Sequence, residues 1–147
     1  MTAFQRAPHE RAGPPEAVQN ISSTVKLLDA TLKRARPNRI PASLRAQLVK
    51  LVSHWLYWRL LGAVEVYPGI ARMAVWASAS ERQARSNMRI LENWRVAVPL
   101  AYAKGGRRAT RFRIDEEALF RVLVHLGCNP GDRLRLALVR NPEIKLR

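Results

Sequence analysis

A chain of 147 residues is long enough for one domain with appended segments, and its 26 Lys and Arg against 11 Asp and Glu give a formal net charge of +15 and a pI of about 11.5. At 48% hydrophobic residues it can build a core, which excludes a wholly disordered basic protein and assigns the charge to a folded surface. Of the 26 cations 21 are Arg, whose planar fork matches phosphate oxygens and guanine edges, so a polyanion is the expected partner and an anionic membrane surface its rival.

Runs without a charge such as Leu51 to Trp58, Met73 to Ser80 and Val96 to Ala103 are eight residues each, and none in the chain exceeds ten. A bilayer span needs about 20, so no transmembrane helix is predicted. Met1 to Pro15 lacks the apolar run of a secretory signal, and the expected location is the cytoplasm, at nucleoid or plasmid DNA. Cys128 is the single cysteine, which excludes an intramolecular disulfide and a multi-cysteine zinc site; its apolar neighbours predict a buried structural thiol.

In chain order, residues 1–17 are rich in Pro, Ala, Arg and Glu and read as a disordered tail, because Pro14-Pro15 cannot continue a helix. From Val18 to Leu32 the apolar positions Val18, Ile21, Val25, Leu28 and Leu32 recur every three or four residues, the period of an amphipathic helix. That stripe has two readings: it folds back on its own domain, or it pairs with a second copy to make a homodimer, a role the C-terminal segment could also take. A basic linker of Lys33, Arg34, Arg36 and Arg39 runs to Pro41 and either spaces the first helix from the domain or touches phosphates.

A strong helix is predicted from Ala42 to Arg59, with Leu44, Leu48, Leu51, Val52, Trp55 and Leu56 on its buried face and Gly62 closing it. Ala63 to Tyr67 reads as a brief strand and Ile70 to Ala77 as a second, shorter helix. Ser80 N-caps a third helix that runs to about Asn93, with Gln83 at the position that completes a capping box. Two strands, Val96 to Ala103 and Ala109 to Ile114, flank the turn Lys104-Gly105-Gly106-Arg107-Arg108; Pro99 makes the first an edge or bulged strand. In the second, Thr110, Phe112 and Ile114 face one way and Arg111 and Arg113 the other. Asp115 caps a fourth helix whose dipole Glu116 and Glu117 complement, with Ala118, Leu119, Val122, Leu123 and Leu126 buried and Gly127 and Pro130 ending it. The basic C-terminal extension, 128–147, has no predicted conformation.

The stretch from Pro68 to Arg82, followed by Ala84, Met88 and Leu91, resembles the winged helix-turn-helix domains of bacterial, phage and plasmid transcription regulators and replication proteins. In these, a helix ends near a small residue, a short turn follows, and Ser-Glu-Arg opens the recognition helix. The resemblance covers residues 42–127, and the Gly-Gly-Arg-Arg-Ala-Thr-Arg-Phe-Arg-Ile-Asp run is similar to the wing. Two residues depart from the pattern: Ser78 stands where Gly is common in the turn, and Ala79 where a larger apolar residue is usual. The implied fold class is mainly α with a small β-hairpin (α+β), a winged helix-turn-helix.

Independently of the family, Ile70, Met73 and Ala74 can pack on Ala84, Met88 and Leu91 through a small-residue contact at Ala74 and Ala84, leaving Glu81, Arg82, Gln83, Arg85, Ser86 and Arg89 outward. Ser80 to Ile114 holds nine basic and two acidic residues, a net +7 over 35 residues. The candidate DNA-binding set is Ser80, Arg82, Gln83, Arg85, Ser86 and Arg89 on the third helix, with Lys104, Arg107, Arg108 and Arg111 on the hairpin. Arg82 is expected to read guanine and Gln83 adenine; Arg85, Ser86 and Arg89 to touch bases or phosphates; and the hairpin cations to grip the backbone or an adjacent minor groove.

The plainer readings are a merely solvated charged face, against which the scarcity of Glu and Asp among these Arg argues, and a simple soluble hairpin. Trp55, Trp58, Trp76 and Trp94, at helical spacings beside Leu, read as core rather than as a stacking platform for single strands. His9, His54 and His125 are scattered, and no P-loop, nucleophile elbow or dinucleotide-binding glycine pattern occurs, so a non-enzyme with no metal and no cofactor is expected. The leading expectation is a sequence-specific transcription regulator of double-stranded DNA, acting as a repressor by occupancy. The alternatives are a replication or partition accessory protein binding origin repeats, an RNA-binding protein, and a basic protein-interaction module.

Overall fold

The structure, a computed structural model, describes residues 15–35, 39–101 and 110–139. Pro15 opens the first helix, α1 (Pro15–Leu32), rather than closing a tail. Proline suits a first helical turn, where its missing N–H has no intrahelical partner to lose. The expected tail is thus corrected at 15–17, and residues 1–14 lie outside the described residues. The stripe of α1 is covered by its own chain: Ile21, Leu28 and Leu32 are buried, the last two completely, in a core shared with α2 (Ala42–Leu60) and α6 (Asp132–Val139). A dimer through this stripe would first have to unpack it.

The central element is α2. The expected face is buried, and so are Gln47, Val49, His54 and Trp58, so that apolar contact wraps most of the helix, as it must where α1, α3 (Ile70–Ala77) and α4 (Glu81–Asn93) all pack on it. Gly62, at φ 90°, closes α2 with the Ala63 N–H donating to Trp58 O and the Gly62 N–H to Arg59 O, both at 2.9 Å. The brief strand expected over 63–67 is reduced to one residue. Val66 exchanges both backbone hydrogen bonds with Phe112, while Val64 is 77% exposed and Pro68 prevents continuation.

The two-stranded antiparallel sheet is β1 (Ala97–Ala101) and β2 (Arg111–Ile114), in register Ala97 with Ile114 and Pro99 with Phe112. A bulge falls between Pro99 and Ala101, where the proline predicted it. Phe112 and Ile114 are buried and Arg111 and Arg113 exposed, the expected alternation. The rest of the expected hairpin, 102–109, lies outside the described residues.

α5 (Glu116–His125) starts at Asp115, whose side chain accepts from the Ala118 N–H at 3.1 Å, and ends at Gly127 with φ 76°. α6 follows, burying Leu134 and Leu138 against the same core as Cys128, Leu28 and Leu32. The segments before 42 and after 127 are therefore parts of one core rather than appendages to it. Trp55 and Trp58 are buried, and Trp76 and Trp94 pack partly buried against the core. The architecture is mainly helical, with a small antiparallel sheet.

Candidate nucleic-acid interface

α3 and α4 are joined by a tight turn. The Ala79 N–H donates to Ala74 O and the Ser78 N–H to Val75 O, closing α3 with Ser78 in the left-handed region at φ 51°, ψ 47°. The absence of glycine does not open the turn. Ser80 then caps α4 as expected, accepting from the Gln83 N–H at 3.0 Å. Only this half of the predicted capping box forms, because the Gln83 side chain turns along the helix and donates from Nε2 to Asn87 Oδ1 at 3.0 Å.

The two faces of α4 separate cleanly. Ala84, Asn87, Met88 and Leu91 are buried, with Ala84 and Leu91 at 0% exposure. Ala74 of α3, the expected partner of Ala84, is buried too, as are Met73 and Ala77. At about 100° per residue, Arg82, Arg85, Ser86 and Arg89 fall within an arc of about 100° on the opposite side. The three arginines are exposed and Ser86 is half-buried. Gln83, also exposed, stands about 60° beyond that arc, on the side nearest Asn87. Arg85 makes an i,i+4 pair with Glu81 at 3.6 Å, both side chains about half exposed, a geometry that contributes little and opens easily. Among the described residues, Arg82 and Arg89 have no carboxylate partner.

Behind this face runs a buried polar chain that sequence reasoning missed. Asn87 Nδ2 donates to Gln47 Oε1 at 2.9 Å and to Ser43 Oγ at 3.4 Å, while Gln47 Nε2 donates to the Ala84 carbonyl at 3.1 Å. Gln47 is 0% and Asn87 1% exposed, so each amide must be paired where it lies. The available signal was phase: both residues occupy apolar positions of their helices, Asn87 between Ala84 and Leu91, and Gln47 between Leu44 and Leu48.

Of the expected hairpin cations, Lys104, Arg107 and Arg108 lie outside the described residues. Arg111 is exposed, its guanidinium 3.6 Å from Glu65 in a surface pair that opens easily and 5.5 Å from the centroid of the Tyr67 ring. Arg113 is exposed on the same face of β2.

Other charged residues of the sequence hold the fold together. In the linker, Arg34 donates to the carbonyls of Cys128 and Asn129 at 3.2 and 3.3 Å, and Arg39 to that of His125 at 3.0 Å. These carbonyls lie at and just beyond the end of α5, where the helix dipole favours cations, so among the described linker residues the arginines are fasteners rather than phosphate contacts. Glu116 does more than complement a dipole: its Oε2 accepts from Trp55 Nε1 at 2.8 Å and pairs with Arg59, which also donates to Leu138 O at 3.1 Å. The Arg59–Glu116 pair thereby ties α2, α5 and α6. His54 is buried between the rings of Trp58 and Trp76, 6.3 and 5.4 Å away; burial, and then Arg72, push its pKa down to about 4. Cys128 is buried as expected, and burial pushes its thiol pKa up against the opposing effect of Arg34.

Comparison with protein-family models, curated proteins and solved structures finds no match to this chain.

Proposed function

We propose that α3, its turn and α4 form a helix-turn-helix, with the β1–β2 hairpin as its wing, and that the chain is a sequence-specific double-stranded DNA-binding transcription regulator. The observation that carries this reading is the division of α4: Arg82, Arg85 and Arg89 share one exposed side of a helix whose other side is locked onto α2 and α3. A rod with that cross-section fits a major groove, and its first turn, holding Arg82 and Gln83, is the part that meets base edges in such modules. The chain acts by occupancy, as a repressor, with Arg85, Ser86 and Arg89 on bases or phosphates and Lys104, Arg107, Arg108 and Arg111 on the flanking backbone.

Selection of bound duplexes from a random library, followed by titration of the best site, tests this. Arg82→Ala is expected to cost about 1 to 3 kcal/mol and to relax preference at one base pair, whereas Arg107→Ala weakens all sequences alike. Equal loss on matched and mismatched duplexes with Arg82→Ala removes its reading role. Structured RNA that displaces duplex DNA at equal concentration would contradict the choice of ligand, and recovered sites clustered at origin repeats rather than promoters would reassign the role to replication.

A further inference from the structure

The polar chain behind α4 has a consequence for which base the protein reads. Gln83 is an exposed side chain, and an exposed glutamine ordinarily samples many rotamers whose ordering opposes binding. Here its Nε2 is tied to Asn87 Oδ1 at 3.0 Å, and Asn87 is fixed in turn by Gln47 and Ser43, both on α2. Gln47 is itself anchored to the Ala84 carbonyl, so the chain ends on backbone. Asn87 occupies one of the two Nε2 hydrogens. The second hydrogen and Oε1 remain on the same amide, the donor and acceptor pair that adenine N7 and N6 require.

We infer that Asn87 and Gln47 are positioning residues that hold the Gln83 amide in one orientation before any duplex arrives, and so determine an adenine preference at one base pair. This rests on the DNA-reading proposal above. It adds a dependence on two buried residues that never touch the ligand.

Two measurements separate the inference from that proposal. In the free protein, nitrogen-15 relaxation of the Gln83 side-chain amide should show the order of a buried group in the wild type and the mobility of a solvated glutamine in Asn87→Ala. A mobile wild-type amide overturns the inference whether or not the protein binds DNA. In site selection, Gln83→Ala and Asn87→Ala should both flatten preference at the same base pair, from about fivefold or more to near unity, and leave the other positions unchanged. Gln47→Met, which nearly keeps the volume and removes the shorter of the two anchors of Asn87, should give an intermediate loss and provides the test should Asn87→Ala fail to fold. Adenine preference that survives both buried substitutions but not Gln83→Ala overturns the positioning role, as does a uniform loss at every position.

Discussion

Two groups of arginines in this chain differ in what surrounds them rather than in kind. On the side built by the linker, α2, α5 and α6, Arg34 and Arg39 donate to carbonyls at the end of α5, and Arg59 joins Glu116 and Leu138. On α4, Arg82 and Arg89 are exposed with no carboxylate partner among the described residues, and Arg85 has only a weak surface pair. These six arginines thus divide into three that fasten helices and three that face outward. Charge count alone cannot assign either role; the local supply of carbonyls and carboxylates does.

The largest expected effect comes from breaking the fastening side. Arg59→Ala leaves a partly buried Glu116 with Trp55 as its remaining partner here and frees the Leu138 carbonyl, and should cost about 3 kcal/mol in denaturant unfolding. Where the variant is folded, its DNA affinity should equal that of the wild type. A comparable loss of affinity in the folded variant would merge the two groups.

Acid probes the fold through a buried histidine rather than through an arginine. The pKa of His54 is lowered in the folded state, so the unfolded chain takes the proton first. The His54 contribution to stability is therefore full above about pH 6.5 and is lost as pH drops through 4, by about 3 kcal/mol at the limit. His54→Phe should flatten this part of the pH profile, measured by thermal unfolding; an unchanged profile would place the acid sensitivity elsewhere.

The smallest effect belongs to the turn before α4. Ser78 occupies the left-handed region at φ 51°, where a Cβ is unfavourable, so Ser78→Gly should raise stability by about 0.5 to 1 kcal/mol without altering the α4 face. A fall in melting temperature would mean that the serine side chain contributes more than the strain it introduces.

Much of the fold was legible because its signals are local. Ser80 and Asp115 mark helix starts by their hydrogen-bonding oxygens, Gly62 and Gly127 mark ends by their positive φ, and Pro99 marks the bulge. The outward side of α4 follows from period alone. The remainder depends on partners distant in the chain. Glu116 meets Trp55 and Arg59 across 61 and 57 positions, and Asn87 meets Gln47 across 40, so neither role appears in any window of sequence. For the same reason the stripe on α1 announced that something covers it, but not that α2 and α6 do. α6 itself is short, and it is held by Leu134 and Leu138 in a core assembled from distant segments.

The division between the two arginine groups is tested most directly by the salt dependence of duplex binding in Arg82→Ala/Arg89→Ala against Arg34→Ala/Arg39→Ala. Each phosphate contact contributes about −0.9 to the slope of log affinity against log salt. The first pair should weaken binding and, through Arg89, make that slope shallower by about one, while the second, under conditions where it is folded, should leave both unchanged. Equal changes in the two variants, or a wild-type affinity indifferent to salt, would contradict the assignment of α4 as the surface that meets DNA.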